Sequence, residues 1–383
     1  MNLQNKPTPS AAQALLMPPE WDERFDGVIL AWPHAGTDWA DTLAEVCDCY
    51  RRLVQALLQA GCQVAIITPE PEAVKAQLSE INVAATDAAV CSASASLGAD
   101  AKTTDAACGQ VMLLKIPTND TWTRDYAPIP VQRADGSLAA VSYGFNGWGL
   151  KFAADKDNLV ALRLDLSGLD VPNIVRKNYI LEGGSVESDG RGTILTTSKC
   201  MLSVNRNGLT DKQRVERELA EGLGASRVLW LDYGAIPGDD TDSHIDTLAR
   251  FAPHDTILYV KCYNTANPAA PELAKMEAQL SAFRTAEGMP YNLIGLPMPD
   301  PLYDEEGDPM PATYANFLIT PRAVLMPQYG QPRNDQLASQ MLSIAFPDHK
   351  IIGVDCHALI RQHGSLHCAT MQFPSRWGRF GHC

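Results

Sequence analysis

Apolar positions in this chain follow two rhythms that take turns. Val28-Ile29-Leu30-Ala31-Trp32 is an unbroken apolar run stopped by Pro33, which predicts a buried strand. From about Asp41 to Ala60 the residues Leu43, Val46, Tyr50, Leu53, Val54, Leu57 and Leu58 recur every three or four positions, the spacing of one helix face. Gly61 ends that helix, and Gln63 to Thr68 is a second strand. Strand-like runs continue at Val111 to Ile116, Ala139 to Tyr143, Tyr179 to Leu181, Thr193 to Thr197, Val228 to Leu231, Thr256 to Val260, Phe317 to Thr320, Ala323 to Pro327 and Lys350 to Val354. Helices are predicted over Thr210 to Leu223, Ala270 to Ala286 and Gln336 to Phe346, the first opened by Thr210 as its N-cap. Strands interleaved with single helices predict a mixed α/β fold rather than a sandwich or a bundle.

Two stretches depart from this alternation. Residues 1–19 read as a loose arm ending at Pro18-Pro19. Asn82 to Cys108 is rich in Ala, Ser, Thr and Asp, with a low-complexity patch at Ser92-Ala93-Ser94-Ala95-Ser96, and is expected to be a surface insertion with at most a short helix. No repeat is visible in the residues themselves, and no segment reads as a linker between folding units. Residues 20–383 are therefore expected to form a single domain.

Composition narrows the partners. A net charge of -14 argues against a nucleic-acid or anionic membrane partner. Small cations would be attracted, although ordinary solubility explains the same charge. The 10 cysteines are scattered and lack the dense spacing of a disulfide scaffold. The first residues lack the basic start and apolar core of a secretory signal, and no run of about eighteen apolar residues exists. A reducing cytoplasm is the compartment expected. Neither a phosphate loop nor a Gly-x-Gly-x-x-Gly turn is present, and no cofactor is required by the residues.

Four short motifs carry candidate chemistry. His244-Ile245-Asp246 lies in an extended-looking stretch, Thr241 to Phe251, and on a strand its two polar side chains would share a face. An exposed polar turn is the plainer alternative. Trp122-Thr123-Arg124-Asp125 sits past a strand end, where ligand contacts are common, but Arg124 and Asp125 would also serve as a structural ion pair. Glu182-Gly183-Gly184-Ser185 follows an apolar run, and its glycines suit either close approach to a ligand or an ordinary hairpin. Cys368 is either a buried small hydrophobe or a nucleophile. With Cys356, His357, His363 and His367 it also admits a zinc reading, against which stand the absence of a Cys-x-x-Cys pair and the adjacency of His367 and Cys368.

Taken in order with Met17-Pro18-Pro19-Glu20-Trp21, Trp32-Pro33, Asn205-Arg206-Asn207, Asp239-Asp240-Thr241 and Tyr314-Ala315-Asn316-Phe317, these motifs span nearly the whole chain. The chain resembles the agmatine deiminase and bacterial-type peptidylarginine deiminase family of guanidine-modifying enzymes. The resemblance implies a five-bladed pseudo-symmetric α/β propeller of ββαβ units with its active site in a central channel. It also implies Cys368 as nucleophile, His244 as acid and base, Glu182 as its partner, and Asp125 and Asp246 as the guanidinium clamp. Departures lie beside this set. Ser243 and Ala127 stand where the family usually has glycine, Thr247 where it has asparagine, and Arg361 to Leu366 where it has a glycine run.

Elementary chemistry agrees. A guanidinium presents a fork of donors that paired carboxylates can hold, and a thiolate is the nucleophile suited to its poorly electrophilic carbon. Histidine can protonate the departing ammonia and then activate water against the thiouronium intermediate. Agmatine, hydrolysed to N-carbamoylputrescine and ammonia, is the expected substrate and connects the chain to polyamine synthesis, with Asp240, Asp242 or the loop Asp304-Glu305-Glu306 meeting its ammonium and Trp122 covering its stem. The alternatives are a peptidylarginine or free-arginine deiminase, an amidinotransferase and, in a different class, a zinc-stabilised binding protein without catalysis. A homo-oligomer is left open.

Overall fold

The computed structural model describes residues 15–81, 83, 85–87, 111–166, 169, 171 and 174–378. Five separate sheets repeat one connection: an antiparallel pair, a crossover containing a helix, then a strand parallel to the second. Ile129–Arg133 pairs antiparallel with Leu138–Gly144, which runs parallel to Ile174–Ile180. Val186–Ser188, Thr193–Thr197 and Arg227–Leu231 repeat the order, as do Ala249–Ala252, Thr256–Lys261 and Asn292–Pro297. Leu318–Ile319, Ala323–Gln328 and Lys350–Asp355 form the fourth set. The fifth joins both ends of the chain: Met371–Phe373 pairs antiparallel with Gly27–Ala31, which is parallel to Gln63–Thr68. Val111–Lys115 and Ala85–Asp87 extend this last sheet. Among the described residues no sheet closes on itself.

The reason for the repetition is burial. Gln63–Thr68 is buried on both faces after its first residue, the pattern of a strand covered by helices on a parallel sheet. The helix Leu43–Gln59 covers it with Val46, Tyr50, Leu53, Val54 and Leu57, and also packs against Lys350–Asp355 of the next sheet. Pro332–Ala345 likewise touches both Lys350–Asp355 and Asn292–Pro297. Each of these helices therefore ties its own sheet to a neighbour.

Some boundaries differ from the expected ones. The helix expected from Thr210 is Lys212–Leu223, capped by the Asp211 carboxylate, which accepts from the Arg214 backbone N–H at 2.8 Å. Thr210 and Asp211 are both capping residues, and the acidic one takes the place. The Ala270 helix stops at Ala282, followed by extended Phe283. Leu15 and Leu16 do not belong to a loose arm, since they pair with Arg133 and Gln132, and the Met17 backbone N–H donates to Leu223. Most of the expected 82–108 insertion lies outside the described residues, but 85–87 are extended rather than helical. No helix of the described residues is long and apolar enough to cross a membrane.

Candidate active site

Four turns at the ends of strands bring the candidate residues together. The first is a single helical turn, Thr123–Tyr126, buried throughout. Thr123 Oγ1 donates to the carbonyls of Ile29 (3.1 Å) and Ala369 (3.0 Å), and the Arg124 N–H donates to the Cys368 carbonyl at 3.2 Å. Asp125 is thereby fixed against the Cys368 turn. Arg124 does not pair with Asp125; its guanidinium turns away to Gln372 Oε1 at 2.6 Å. The second turn, Gly183–Ser185, follows Glu182 and links two different sheets instead of closing a hairpin. The Gly184 N–H donates to Asp125 Oδ1 at 2.9 Å. A Cβ on Gly184 would lie 2.7 Å from His244 Nδ1, 2.8 Å from Asp125 Oδ1 and 3.0 Å from Asp246 Oδ2. Glycine is required here by close approach, and the same distances show how tightly the three functional groups converge.

The third turn occupies the first part of the stretch expected to be extended from Thr241 to Phe251, with a polar turn as the alternative, and the strand begins only at Ala249. Asp242 and Ser243 both lie in the left-handed region, each with φ 65°, and His244 leads into a 3₁₀ turn, Ile245–Thr247. The Asp239 carboxylate accepts from the Ser243 N–H at 2.6 Å, and Thr241 Oγ1 accepts from the His244 N–H at 3.1 Å. These bonds hold a backbone that costs about 1–3 kcal/mol per non-glycine residue. His244 and Asp246 still converge, through turn geometry and not through strand alternation. The fourth turn carries His367 and Cys368, whose adjacent side chains both reach Asp246 Oδ2, at 2.8 Å from His367 Nδ1 and 3.8 Å from Cys368 Sγ.

Cys368, His244, Glu182, Asp125 and Asp246 thus meet, all nearly closed to solvent, at 5%, 0%, 0%, 4% and 0% exposure. His244 Nε2 lies 3.2 Å from Glu182 Oε2, and its Nδ1 lies 3.7 Å from Asp125 Oδ1. Arg206 Nε donates to both Glu182 oxygens at 2.9 and 2.7 Å. Trp148 Nε1 donates to Asp125 Oδ2 at 2.9 Å. Asn316 Nδ2 lies 3.2 Å from Cys368 Sγ. Among the described residues, His244 Nδ1 and Asp246 Oδ1 are buried polar atoms without a hydrogen-bond partner. Such atoms are costly unless a ligand satisfies them.

The electrostatics follow from this crowding. Burial pushes the Asp125 carboxyl up to about 6, with Asp246 and Glu182 adding to the rise against the pull of His244. Burial opposes ionisation of Asp246 too, but the His367 ring outweighs it and holds the carboxyl below its usual range. Glu182 is also held low, because His244 and Arg206 outweigh burial. Burial works against a charged His244, yet Asp125 and the Cys200 and Glu182 contacts raise it well above an ordinary histidine. Burial, then the charges of Asp246 and Asp125, raise the Cys368 thiol well above its ordinary value.

A narrow, partly open cavity leads to Cys368 and Asp125. Trp122, Trp148 and Phe152 wall it, and Asp120 and Asp240 lie along it, while among the described residues no lysine or arginine lines it. Trp122 and Asp240 therefore reach the cavity as expected. Asp242 does not; it accepts from Arg206 NH1 at 2.6 Å. Glu305 is tied to Arg361 at 2.8 Å. Trp122 packs on Trp39, and a Cβ on Gly364 would fall 2.4 Å from its ring, so the glycine there admits the indole.

The residues of the zinc alternative are dispersed. His363 Nδ1 is 2.9 Å from the Gly238 carbonyl, and His367 spans two carboxylates. The donor atoms that do cluster, among the described residues, are those of Glu182, Cys200 and His244. The Arg206 cation bonded to both Glu182 oxygens suits that cluster poorly to a metal ion.

Comparison with known proteins accords with this geometry. A family model described as Porphyromonas-type peptidyl-arginine deiminase matches residues 16–374. A cysteine-to-serine variant of the C. jejuni agmatine deiminase, solved with substrate bound, is 34% identical, with 94% of this chain and 96% of that one covered and a TM-score of 0.81. A Porphyromonas gingivalis structure with the provisional name of arginine deiminase is 40% identical over 94% of this chain and 98% of that one, with a TM-score of 0.81. A protein of Shewanella sp. (strain MR-4), provisionally named an agmatine deiminase, is 30% identical over 96% of both chains. The family match and these relatives place the chain in the class of enzymes acting on guanidino carbon–nitrogen bonds. Within that class, it belongs to the Porphyromonas-type peptidyl-arginine deiminase family.

Proposed function

We propose that the chain is a cysteine-dependent deiminase that hydrolyses agmatine to N-carbamoylputrescine and ammonia. The observation that carries this reading is the pair of buried carboxylates, Asp125 and Asp246, facing one gap beside Cys368 with Asp246 Oδ1 unpartnered. A guanidinium in that gap would supply donors to both acids and place its central carbon near Sγ. Its charge would also ease ionisation of the thiol. At about 4 Å and an effective dielectric near 20, one cation contributes about 4 kcal/mol, roughly a thousandfold in an ionisation constant.

The Cys368 thiolate adds to the guanidinium carbon. Protonated His244 gives its proton to one nitrogen, the carbon–nitrogen bond breaks and ammonia leaves, and a thiouronium remains on Sγ. Neutral His244 then takes one proton from water as the oxygen adds to carbon, the carbon–sulfur bond breaks as the remaining hydroxyl proton passes to solvent or the released ammonia, and the neutral ureido product departs from a regenerated Cys368 thiolate. Glu182 orients the imidazole and supports its charged form. The same reading sets the five units as blades around a central channel, treats residues 20–383 as one catalytic domain, and places the enzyme in the cytoplasm.

Agmatine is preferred over arginine because its far end is an ammonium. The cavity that leads to Cys368 is lined by Asp120 and Asp240, whose carboxyls burial raises, and among the described residues by no lysine or arginine that would receive a carboxylate. Trp122, Trp148 and Phe152 suit an aliphatic stem. Incubation with agmatine, arginine and a peptidyl arginine, followed by ammonia and ureido-product detection, tests the reading. Turnover chiefly of agmatine is expected. No ureido product from any of them would remove the deiminase reading, and product only from peptides would discard agmatine.

A further inference from the structure

Glu20, in Pro18-Pro19-Glu20-Trp21, has no part in the chemistry above, yet it is buried beside the residue that precedes Cys368. Its Oε2 lies 2.7 Å from His367 Nε2, and His367 Nδ1 lies 2.8 Å from Asp246 Oδ2. Resting on the deiminase reading, we infer that Glu20 and His367 are positioning residues that aim Asp246 at the guanidinium.

A carboxylate turns easily about its last torsion, so an acid meant to hold a substrate needs one oxygen pinned. His367 pins Oδ2, and among the described residues Oδ1 is left buried without a hydrogen-bond partner. The ring must be fixed in turn. Glu20 fixes it from the other side and is itself held by the Ile319 N–H at 2.7 Å and by Arg250 NH2 at 2.6 Å. Carboxylate oxygens lie against both ring nitrogens, so the ring is held from two sides and cannot rotate without losing both contacts. The main chain joins the same device to the nucleophile, because Asn316 Oδ1 accepts from both the His367 and Cys368 N–H groups, at 2.9 and 3.2 Å. The N-terminal segment thus completes the site from 347 positions away.

The test compares alkylation of Cys368 by cationic 2-chloroacetamidine and by neutral iodoacetamide in wild type, Glu20→Gln, His367→Gln, and Glu20→Gln combined with Asp246→Asn. Only the cationic reagent uses the carboxylate clamp. Expected in both single variants is a fall of about tenfold or more in the ratio of the cationic to the neutral rate, the size typical of losing a partner that orients a binding group, with little change for iodoacetamide. The KM for agmatine should rise, and adding Glu20→Gln to Asp246→Asn should lower the ratio no further. An unchanged ratio in the single variants, or two rates that rise together as in a merely loosened pocket, would overturn the inference. A wild type with no preference for the cationic reagent would instead count against the deiminase reading itself.

Discussion

Two neighbouring regions treat buried charge in opposite ways. Behind the pocket, the charges of Glu20, Arg250 and Glu187 are matched: Arg250 meets Glu187 Oε2 at 2.7 Å, Glu20 Oε2 at 2.6 Å and the Phe317 carbonyl at 2.6 Å. Beneath the pocket, Asp125, Asp246 and His244 converge at Gly184 with Glu182 close by, and among the described residues Asp246 Oδ1 and His244 Nδ1 have no partner. The first arrangement holds the structure together, since removing one member strands a buried charge. On the proposed reading, the second is completed by the cationic substrate. Both regions are buried and charged, and the polar atoms left without a partner, Asp246 Oδ1 and His244 Nδ1, distinguish the second from the Glu20–Arg250–Glu187 group.

Substitutions should separate the two. The largest effect is expected for Cys368→Ala, which should lower turnover by about a millionfold with the fold intact, as measured by product formation beside circular dichroism. Asp125→Asn and Asp246→Asn come next, each lowering kcat/KM by about a thousandfold through loss of roughly 4 kcal/mol of charge interaction. The thermal midpoint should hold or rise in Asp125→Asn, because burial disfavours that carboxylate. Arg250→Met should do the reverse, losing about 3–5 kcal/mol of stability in denaturant titration. Equal destabilisation by Asp125→Asn and Arg250→Met would erase the distinction between the regions.

A smaller effect concerns pH. Asp125 must be ionised to hold a guanidinium, and its carboxyl sits at about 6, so kcat/KM should climb as pH rises through that value. The Trp148 indole N–H stabilises the charged form, so Trp148→Phe should move the rise to higher pH. A shift to lower pH would contradict the assignment. The smallest expected change is at the mouth: Asp240→Asn should raise KM for agmatine about tenfold, close to 1.4 kcal/mol, with kcat nearly unchanged.

The alternation of strands and helices was legible because buried parallel strands give unbroken apolar runs: Gln63–Thr68 and Thr193–Thr197 match their expected bounds. Met371–Phe373 escaped notice, being short and carrying Gln372, whose polar end is satisfied by a remote partner, and Ala249–Ala252 was legible only as the end of the extended stretch expected from Thr241. The convergence of Glu182, His244, Asp125, Asp246 and Cys368 followed from motif order and resemblance, not from periodicity. The turn at Asp242 and Ser243 was illegible, since neither residue announces a left-handed backbone as glycine would. Glu20, Arg206 and Asn316 were visible as motif members, but their contacts depend on pairings that no local pattern encodes.

The central claim is that sulfur of Cys368 bonds to the substrate carbon held between two acids. Acid quenching of the enzyme during agmatine turnover, followed by mass analysis of its peptides, tests this directly. The peptide containing Cys368 should gain the mass of agmatine less ammonia, and Asp246→Asn should lose that adduct. Steady turnover with an unmodified Cys368, or with the adduct on another cysteine, would contradict it.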